Sequence, residues 1–290
     1  MQIVAENLTF TYSPKSKKLA VRALDKVNLT INEGEFFGIV GRTGSGKSTF
    51  IQHLNGLIKV QENGGKLLVG EYVLSQKKCD YKGLRARLGM VFQYPEYQLF
   101  AETVYQDVAF GLRNFNANLS AEEEQDLIKQ AIEMVGLNYD EVKDKSPFDL
   151  SGGQKRRVAI AGVIVTKPEV LILDEPAAGL DPKGKREFIK LLKDLHASFV
   201  KTIVIVSHDM NIISENCSSM AIFSSGSIVK TASPNDIFKD SRLIEQAGLE
   251  LPVIAELLNS IRQVDSTFDC DLTAQAFIDA FATKYGGIKE

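Results

Sequence analysis

Hydrophobic and polar positions alternate from Ile3 to Phe10, in a stretch rich in branched residues, which predicts a half-buried strand. Val27 to Ile31 predicts a second short strand, closed by Asn32-Glu33-Gly34. Phe36 to Val40 is continuously apolar, the pattern of a parallel strand buried on both faces. A glycine-rich turn follows, then a helix from Ser48 to Leu57 that stops near Gly56, and further strands at Lys66 to Val69 and Leu88 to Phe92. The middle of the chain is helical. Ser120-Ala121-Glu122-Glu123 is a capping-box pattern, Leu127, Ile128, Ala131, Met134 and Val135 recur at helical spacing, and Gly136 is a stop. A second helix is predicted from the Gly-Gly turn after Leu150 to about Val165, where Pro168 limits extension. Val170 to Leu173 and Thr202 to Val206 read as two more buried parallel strands, and Met220 to Phe223 with Ser227 to Lys230 as a hairpin around Ser225-Gly226. Beyond Pro234 only helices are signalled, with stripes at Ile254, Leu257, Leu258 and Ile261 and at Phe277, Phe281 and Tyr285.

Strands alternating with helices imply an α/β fold with crossover helices over a mostly parallel sheet. The 290 residues suffice for one large or two modest domains, and 44% hydrophobic with 24% charged residues is a globular composition. A net charge of −3 leaves no footprint for nucleic acid or an anionic membrane. Cys79, Cys217 and Cys270 lie far apart without a CxxC pair, so they read as reduced thiols rather than a zinc site or disulfide framework. The first residues lack the charge and apolar run of a signal peptide, and the longest uncharged apolar stretch, Val158 to Val165, is far short of the roughly 18 residues of a membrane span. A soluble or peripheral protein is expected.

Gly41-Arg42-Thr43-Gly44-Ser45-Gly46-Lys47-Ser48 has the spacing of a P-loop, between a buried strand and a helix. The glycines let successive N–H groups curl toward phosphate oxygens, and the helix that follows adds its positive end. Lys47 supplies a charge for the β- and γ-phosphates, and the Ser48 hydroxyl is a ligand for Mg²⁺. The expected nucleotide-binding run extends through Thr49. Val170-Leu171-Ile172-Leu173-Asp174-Glu175 is an apolar strand ending in two carboxylates, at the sheet edge where open α/β folds bind ligands. Asp174 suits contact with Mg²⁺, and Glu175 suits polarising a water for in-line attack on the γ-phosphate.

Leu150-Ser151-Gly152-Gly153-Gln154 decides between P-loop families. It resembles the signature motif of ABC-type ATPases, and the resemblance covers residues 1 to about 230 in order and spacing. Ser151 and the amides of Gly152 and Gly153 open a helix, which makes a second anion site in one chain. The resemblance implies two subunits packed head-to-tail, with each ATP between one P-loop and the partner's signature, so Ser151, Gly152, Gly153 and Gln154 join the nucleotide-binding set. It further implies that Gln93 is the Q-loop glutamine sensing Mg²⁺, that Ala178 to Asp181 is the D-loop, that His208 contacts the γ-phosphate and that Tyr12 stacks on adenine. The implied fold is a P-loop ABC ATPase with a mostly parallel core sheet, a small N-terminal antiparallel sheet, a helical signature subdomain over about 95–165 and a C-terminal helical extension. The domain division is then 1–234 for the ATPase and 235–290 for an accessory helical unit. Ala177 departs from the Thr or Ser usual in the family, at a position without a phosphate role.

The segment Gln93-Tyr94-Pro95-Glu96-Tyr97-Gln98-Leu99-Phe100, together with Ser151 to Gly162 and Asp174 to Gly184, is similar to the ATPases of energy-coupling factor (ECF) importers, most of all the A′ type. That resemblance implies an ATP hydrolase at the cytoplasmic face of the cell membrane, peripheral to it. Its implied partners are a homologous ECF A subunit, a membrane T component and a substrate-capturing S component, which together import vitamins or other micronutrients. The C-terminal helices would join the two A subunits, and Glu96 and Glu102 are candidate docking residues for the T component. The intervals from Lys47 to Ser151 and from Ser151 to Asp174 leave no room for a long coiled-coil arm. The alternative is a soluble ABC ATPase acting in repair or translation, which would need a basic face that the overall charge does not favour.

Overall fold

The computed structural model describes residues 1–13, 19–115 and 118–286. Among these residues the strands form two sheets. The smaller is antiparallel. Its β1 (Ile3–Tyr12) pairs with β2 (Val21–Ile31) and with β4 (Lys66–Val69), and β4 pairs with the two-residue β5 (Tyr72–Val73). β2 begins six residues before the expected Val27. Register shifts along β1 and β2, with positive φ at Asn7 (50°) and Lys26 (48°), put the first half of the strand out of phase with simple alternation.

The larger sheet runs in the order β10 (Ser227–Ala232), β9 (Ser219–Ser224), β3 (Phe36–Val40), β8 (Thr202–Val206), β7 (Val170–Asp174) and β6 (Leu88–Val91). All neighbours are parallel except β10, which is antiparallel to β9. Every residue of β3, β7 and β8 is buried, as continuous apolar runs require in a sheet covered on both faces. Ser225 (φ 49°) and Gly226 (φ 80°) form the two-residue turn of the β9–β10 hairpin.

One apolar core lies between the two sheets around α1 (Lys47–Leu54) and α2 (Tyr81–Arg87), and includes Phe37, Phe50, Ile51 and Phe223. The first of these helices is shorter than expected, because Asn55 leaves helical geometry and Gly56 turns at φ 68°. The other core joins the opposite face of the large sheet to α3 (Val104–Phe115), α4 (Ala121–Met134), α5 (Tyr139–Val142), α6 (Gly152–Ile164), α7 (Pro182–Ser198) and α8 (Met210–Asn216). The Ser120 capping box at the start of α4 is formed. The tail continues as α9 (Pro234–Phe238), α10 (Ser241–Ala247), α11 (Val253–Val264) and α12 (Ala274–Tyr285). Ile237, Phe238, Ala255, Leu258, Phe268 and Leu272 bury into the same second core. Residues 287–290, the end of the expected helical unit, lie outside the described residues. Among the described residues no helix is long and apolar enough to cross a membrane.

Candidate nucleotide site

β3 delivers a turn that only glycine can make at two points. Gly41 has φ 146°, and a Cβ there would stand 2.2 Å from the Phe223 carbonyl oxygen. Gly46 has φ 106°, and a Cβ would stand 2.5 Å from the Ala23 carbonyl oxygen. The hairpin pins the turn from behind: the Gly226 N–H donates to the Ser45 carbonyl at 2.9 Å, and the Asp25 N–H to the Gly226 carbonyl at 2.8 Å. α1 begins at once with Lys47, which is 6% exposed and donates from Nζ to the carbonyls of Gly41 (2.6 Å) and Arg42 (3.0 Å). Burial pulls the Lys47 pKa down, against the pull of Glu175 and Asp174.

A cleft of about 1050 Å³ opens above this turn. Thr43, Gly44, Gly46, Lys47, Ser48 and Thr49 line it from the turn and α1, Gln93 from the loop after β6, Asp174 and Glu175 from the end of β7, and His208 from the loop after β8. Tyr12 closes one end, exposed and bonded through its hydroxyl to the Thr49 hydroxyl at 3.2 Å. Phe10 meets the Tyr12 ring edge-on at 4.8 Å and is buried, which leaves Tyr12 as the aromatic that faces the cleft. Gly41 and Ser45 are buried behind the cleft, and Arg42 turns outward against Gly248.

The two carboxylates differ in setting. Burial raises the Asp174 pKa, opposed by a hydrogen bond from Ser48 and the charges of Lys47 and His208. Burial pushes Glu175 up to about 7, opposed by the His208 backbone N–H, which donates to Oε2 at 3.3 Å, and by Lys47. His208 Nε2 approaches Glu175 Oε1 to 3.1 Å, but without hydrogen-bond alignment, so Oε1 is enclosed with no donor. One oxygen is restrained and the other has no donor, on a group that titrates near neutrality, which suits a general base. The His208 pKa is lowered by burial and by Lys47, against Asp174. Ser48, Asp174 and Gln93 bring oxygen donors to the same cleft, a set that fits a small hard cation completed by phosphate and water. Among the described residues no cluster of three or more His, Cys, Asp or Glu offers an all-protein metal cage.

The signature residues stand apart. Ser151 caps α6: its Oγ accepts the Gln154 N–H at 3.4 Å, while Gln154 Oε1 accepts the Ser151 N–H at 3.0 Å. Ser151, Gly152 and Gly153 are exposed, and none of residues 151–154 lines the cleft. Gly153 and Asp181 border a second groove of about 550 Å³ between α6 and α7. Asp181 caps α7 by accepting the Gly184 N–H at 2.7 Å.

Residues 24–178 match the family model described as ABC transporter. The chain is 46% identical over 266 residues to the energy-coupling factor transporter ATP-binding protein EcfA2 of Clostridium tetani, covering 91% of this chain and 90% of that one. It superposes on cbiO1 from Clostridium perfringens, described as part of an ABC transporter complex, with a TM-score of 0.72, 37% identity and coverage of 89% and 98%. It also superposes on a dimeric ATP-binding cassette in a post-hydrolysis state with ADP and phosphate, with a TM-score of 0.70, 30% identity and coverage of 80% and 98%.

The chain belongs to the ATP-binding subunits of energy-coupling factor transporters, within the ABC family.

ATP binding and hydrolysis are the activity of this family, and the cleft supplies the P-loop and carboxylates for it. Two groups in this ATPase cleft escaped the motif reading. Lys185 and Asp209 form an ion pair at 2.7 Å that ties the first turn of α7 to the loop carrying His208. Glu250 and Leu251 reach the cleft from the tail. A lone lysine on a charged helix and a distant acidic residue have no spacing signature that could have marked them.

Proposed function

We propose that this chain binds ATP with Mg²⁺ between its own P-loop and the signature segment of a homologous ECF A subunit, and that hydrolysis there drives micronutrient import. The observation that carries this reading is a division of labour. Lys47, Ser48, Gln93, Asp174, Glu175 and His208 converge on one cleft, while Ser151 to Gln154 present an exposed helix start elsewhere. Two such chains head-to-tail complete both sites. In this reading Thr43 to Thr49 hold the phosphates, Tyr12 stacks on adenine, and Asp181 belongs to the contact between subunits. The metal, held by Ser48 and Asp174 with Gln93 beside them, supplies charge for the phosphate oxygens when bound. The Glu175 carboxylate orients a water and takes its proton as it attacks, and neutral His208 donates to the γ-phosphate.

The membrane partners follow from the relatives, one described as a transporter ATP-binding protein and one as part of a transporter complex. Specificity would lie in the S component, with this chain peripheral at the cytoplasmic face. Tyr97, Phe100 and Glu102 are exposed beside the Q-loop and form the proposed face for the T component. Glu96 is half-buried with Oε2 enclosed, so of the two candidate glutamates Glu102 is the better placed to meet a partner's arginine. Residues 235–290 are read as a subunit-contact unit, supported by exposed apolar Val264, Ile278 and Phe281. Purification from membranes with identification of associated chains tests this assembly. A second A subunit with T and S components is expected. A chain that purifies alone, or with nucleic acid, contradicts it.

A further inference from the structure

Lys47 and Arg156 are the most deeply buried cations among the described residues, each 6% exposed. Lys47 faces the cleft. Arg156, in the first turns of α6, does not reach it. Its guanidinium instead donates from Nη1 to the Ala178 carbonyl at 2.9 Å and from Nη2 to the Pro176 carbonyl at 2.5 Å. These carbonyls belong to the tight turn that leaves Glu175, closed by the Ala178 N–H on the Glu175 carbonyl at 3.1 Å.

That turn is under strain. Glu175 has φ 48°, a left-handed conformation that a residue with a Cβ holds only when its surroundings over-determine it. On one side the Glu175 N–H is fixed to the Val206 carbonyl at 3.0 Å. On the other side the rigid fork of Arg156 fixes two carbonyls at once, which a single-point cation cannot do. Burial works against the Arg156 charge, and the Glu96 carboxylate supports it. Glu96 lies in the segment after Gln93, whose Pro95–Gln98 turn packs on α6. Arg156 Nε and Glu96 Oε2 are each enclosed without a hydrogen-bond partner. An apolar side chain would fill this position without the desolvation cost of a guanidinium, so the charge needs a reason.

We infer that Arg156 is a positioning residue for ATP hydrolysis: it clamps the Pro176–Ala178 turn that aims Glu175, and joins that turn to the signature helix and to the segment after Gln93. A shift of α6 or of the Q-loop segment then moves the base without touching the nucleotide. The inference rests on the reading of Glu175 as the base.

The test uses the full chain co-purified with its partner subunits. Arg156→Met keeps the length of the side chain and removes every donor. Arg156→Lys keeps the charge and can serve only one carbonyl at a time. For Arg156→Met, kcat for ATP should fall at least tenfold while ATP affinity stays within about twofold of the unmodified chain, and Arg156→Lys should fall in between. If Arg156→Met does not fold, Arg156→Lys decides alone, with a several-fold loss of kcat expected at unchanged ATP affinity. Normal kcat in a folded variant, or a loss confined to ATP affinity, overturns the clamp. Glu175→Gln in the same complex separates the two readings. If it is inactive while the Arg156 variants are normal, only the clamp fails, whereas normal turnover by Glu175→Gln removes the base and the clamp with it.

Discussion

Glu175 carries two costs at once, a left-handed backbone and a desolvated carboxylate with one oxygen left without a donor. Its pKa of about 7 in the fold lies above the ordinary 4.5, so folding favours the protonated form. The stability that this adds is fully present below about pH 4.5 and is lost as the pH rises through about 7. Above that window the ionised group is a net cost to the fold. Glu175→Gln should therefore raise the unfolding free energy by about 2–3 kcal/mol at pH 8 and by less than about 1 kcal/mol at pH 5. Denaturant titrations at the two pH values check this, and a gain that does not depend on pH contradicts it. With Glu175 as the proposed base, kcat should fall as the pH drops below about 7.

At the scale of elements, the start of α6 has one observed duty and one proposed duty that a single substitution can separate. Ser151 caps the helix, and in the proposed composite site its hydroxyl would also meet the partner's nucleotide. Glycine is tolerated as an N-cap at a cost of only a few tenths of a kcal/mol. Ser151→Gly should therefore leave thermal stability nearly unchanged while ATP turnover by the A-subunit pair falls about tenfold. Equal losses in stability and turnover would reduce Ser151 to a cap.

The elements that were legible in the sequence are those whose pattern has one physical cause. β3, β7 and β8 are buried on both faces and read as unbroken apolar runs, and the cap at Ser120 reads from residue spacing, whereas Ser151 read only as the start of a helix and its capping box emerged from the structure. The motif residues Lys47, Ser48, Gln93, Asp174, Glu175 and His208 were also legible, and the fold brings them to one cleft. The early half of β2 was hidden by its bulges. α7 was not singled out, because its buried Phe188, Leu192 and Leu195 sit among seven charged residues. The roles of Lys185, Arg156 and Phe268 depend on which elements meet, and no local pattern carries that. Phe268, for example, gathers Phe277, Phe281 and Tyr285 from α12 across a turn.

At the scale of the whole molecule, the nucleotide cleft lies a few residues along the chain from the proposed docking face. Gln93 lines the cleft, Tyr94 turns the chain at φ 54°, and within a few residues the backbone has reached the exposed Tyr97, Phe100 and Glu102. In the proposed reading, movement of the Q-loop on ATP closure would reach the surface by this short path. Glu102→Arg alters only that surface. It should leave ATP turnover of the A-subunit pair within about twofold, and weaken retention of the T component during co-purification, by an amount consistent with the 2–5 kcal/mol typical of breaking a buried charge pair. Normal assembly and uptake would move the docking site elsewhere.

The central claim is that ATP is bound at this cleft and hydrolysed there with Glu175 as base. The most direct measurement is phosphate release and retained nucleotide for the complete transporter carrying Glu175→Gln. The substitution keeps the shape of the side chain and removes the proton acceptor. The account predicts that the variant still takes up ATP at this chain's P-loop, that phosphate release from this site falls about 100-fold or more, and that nucleotide recovered from the site is ATP rather than ADP. Phosphate release from this site at the normal rate, with ADP recovered from it, would contradict the account.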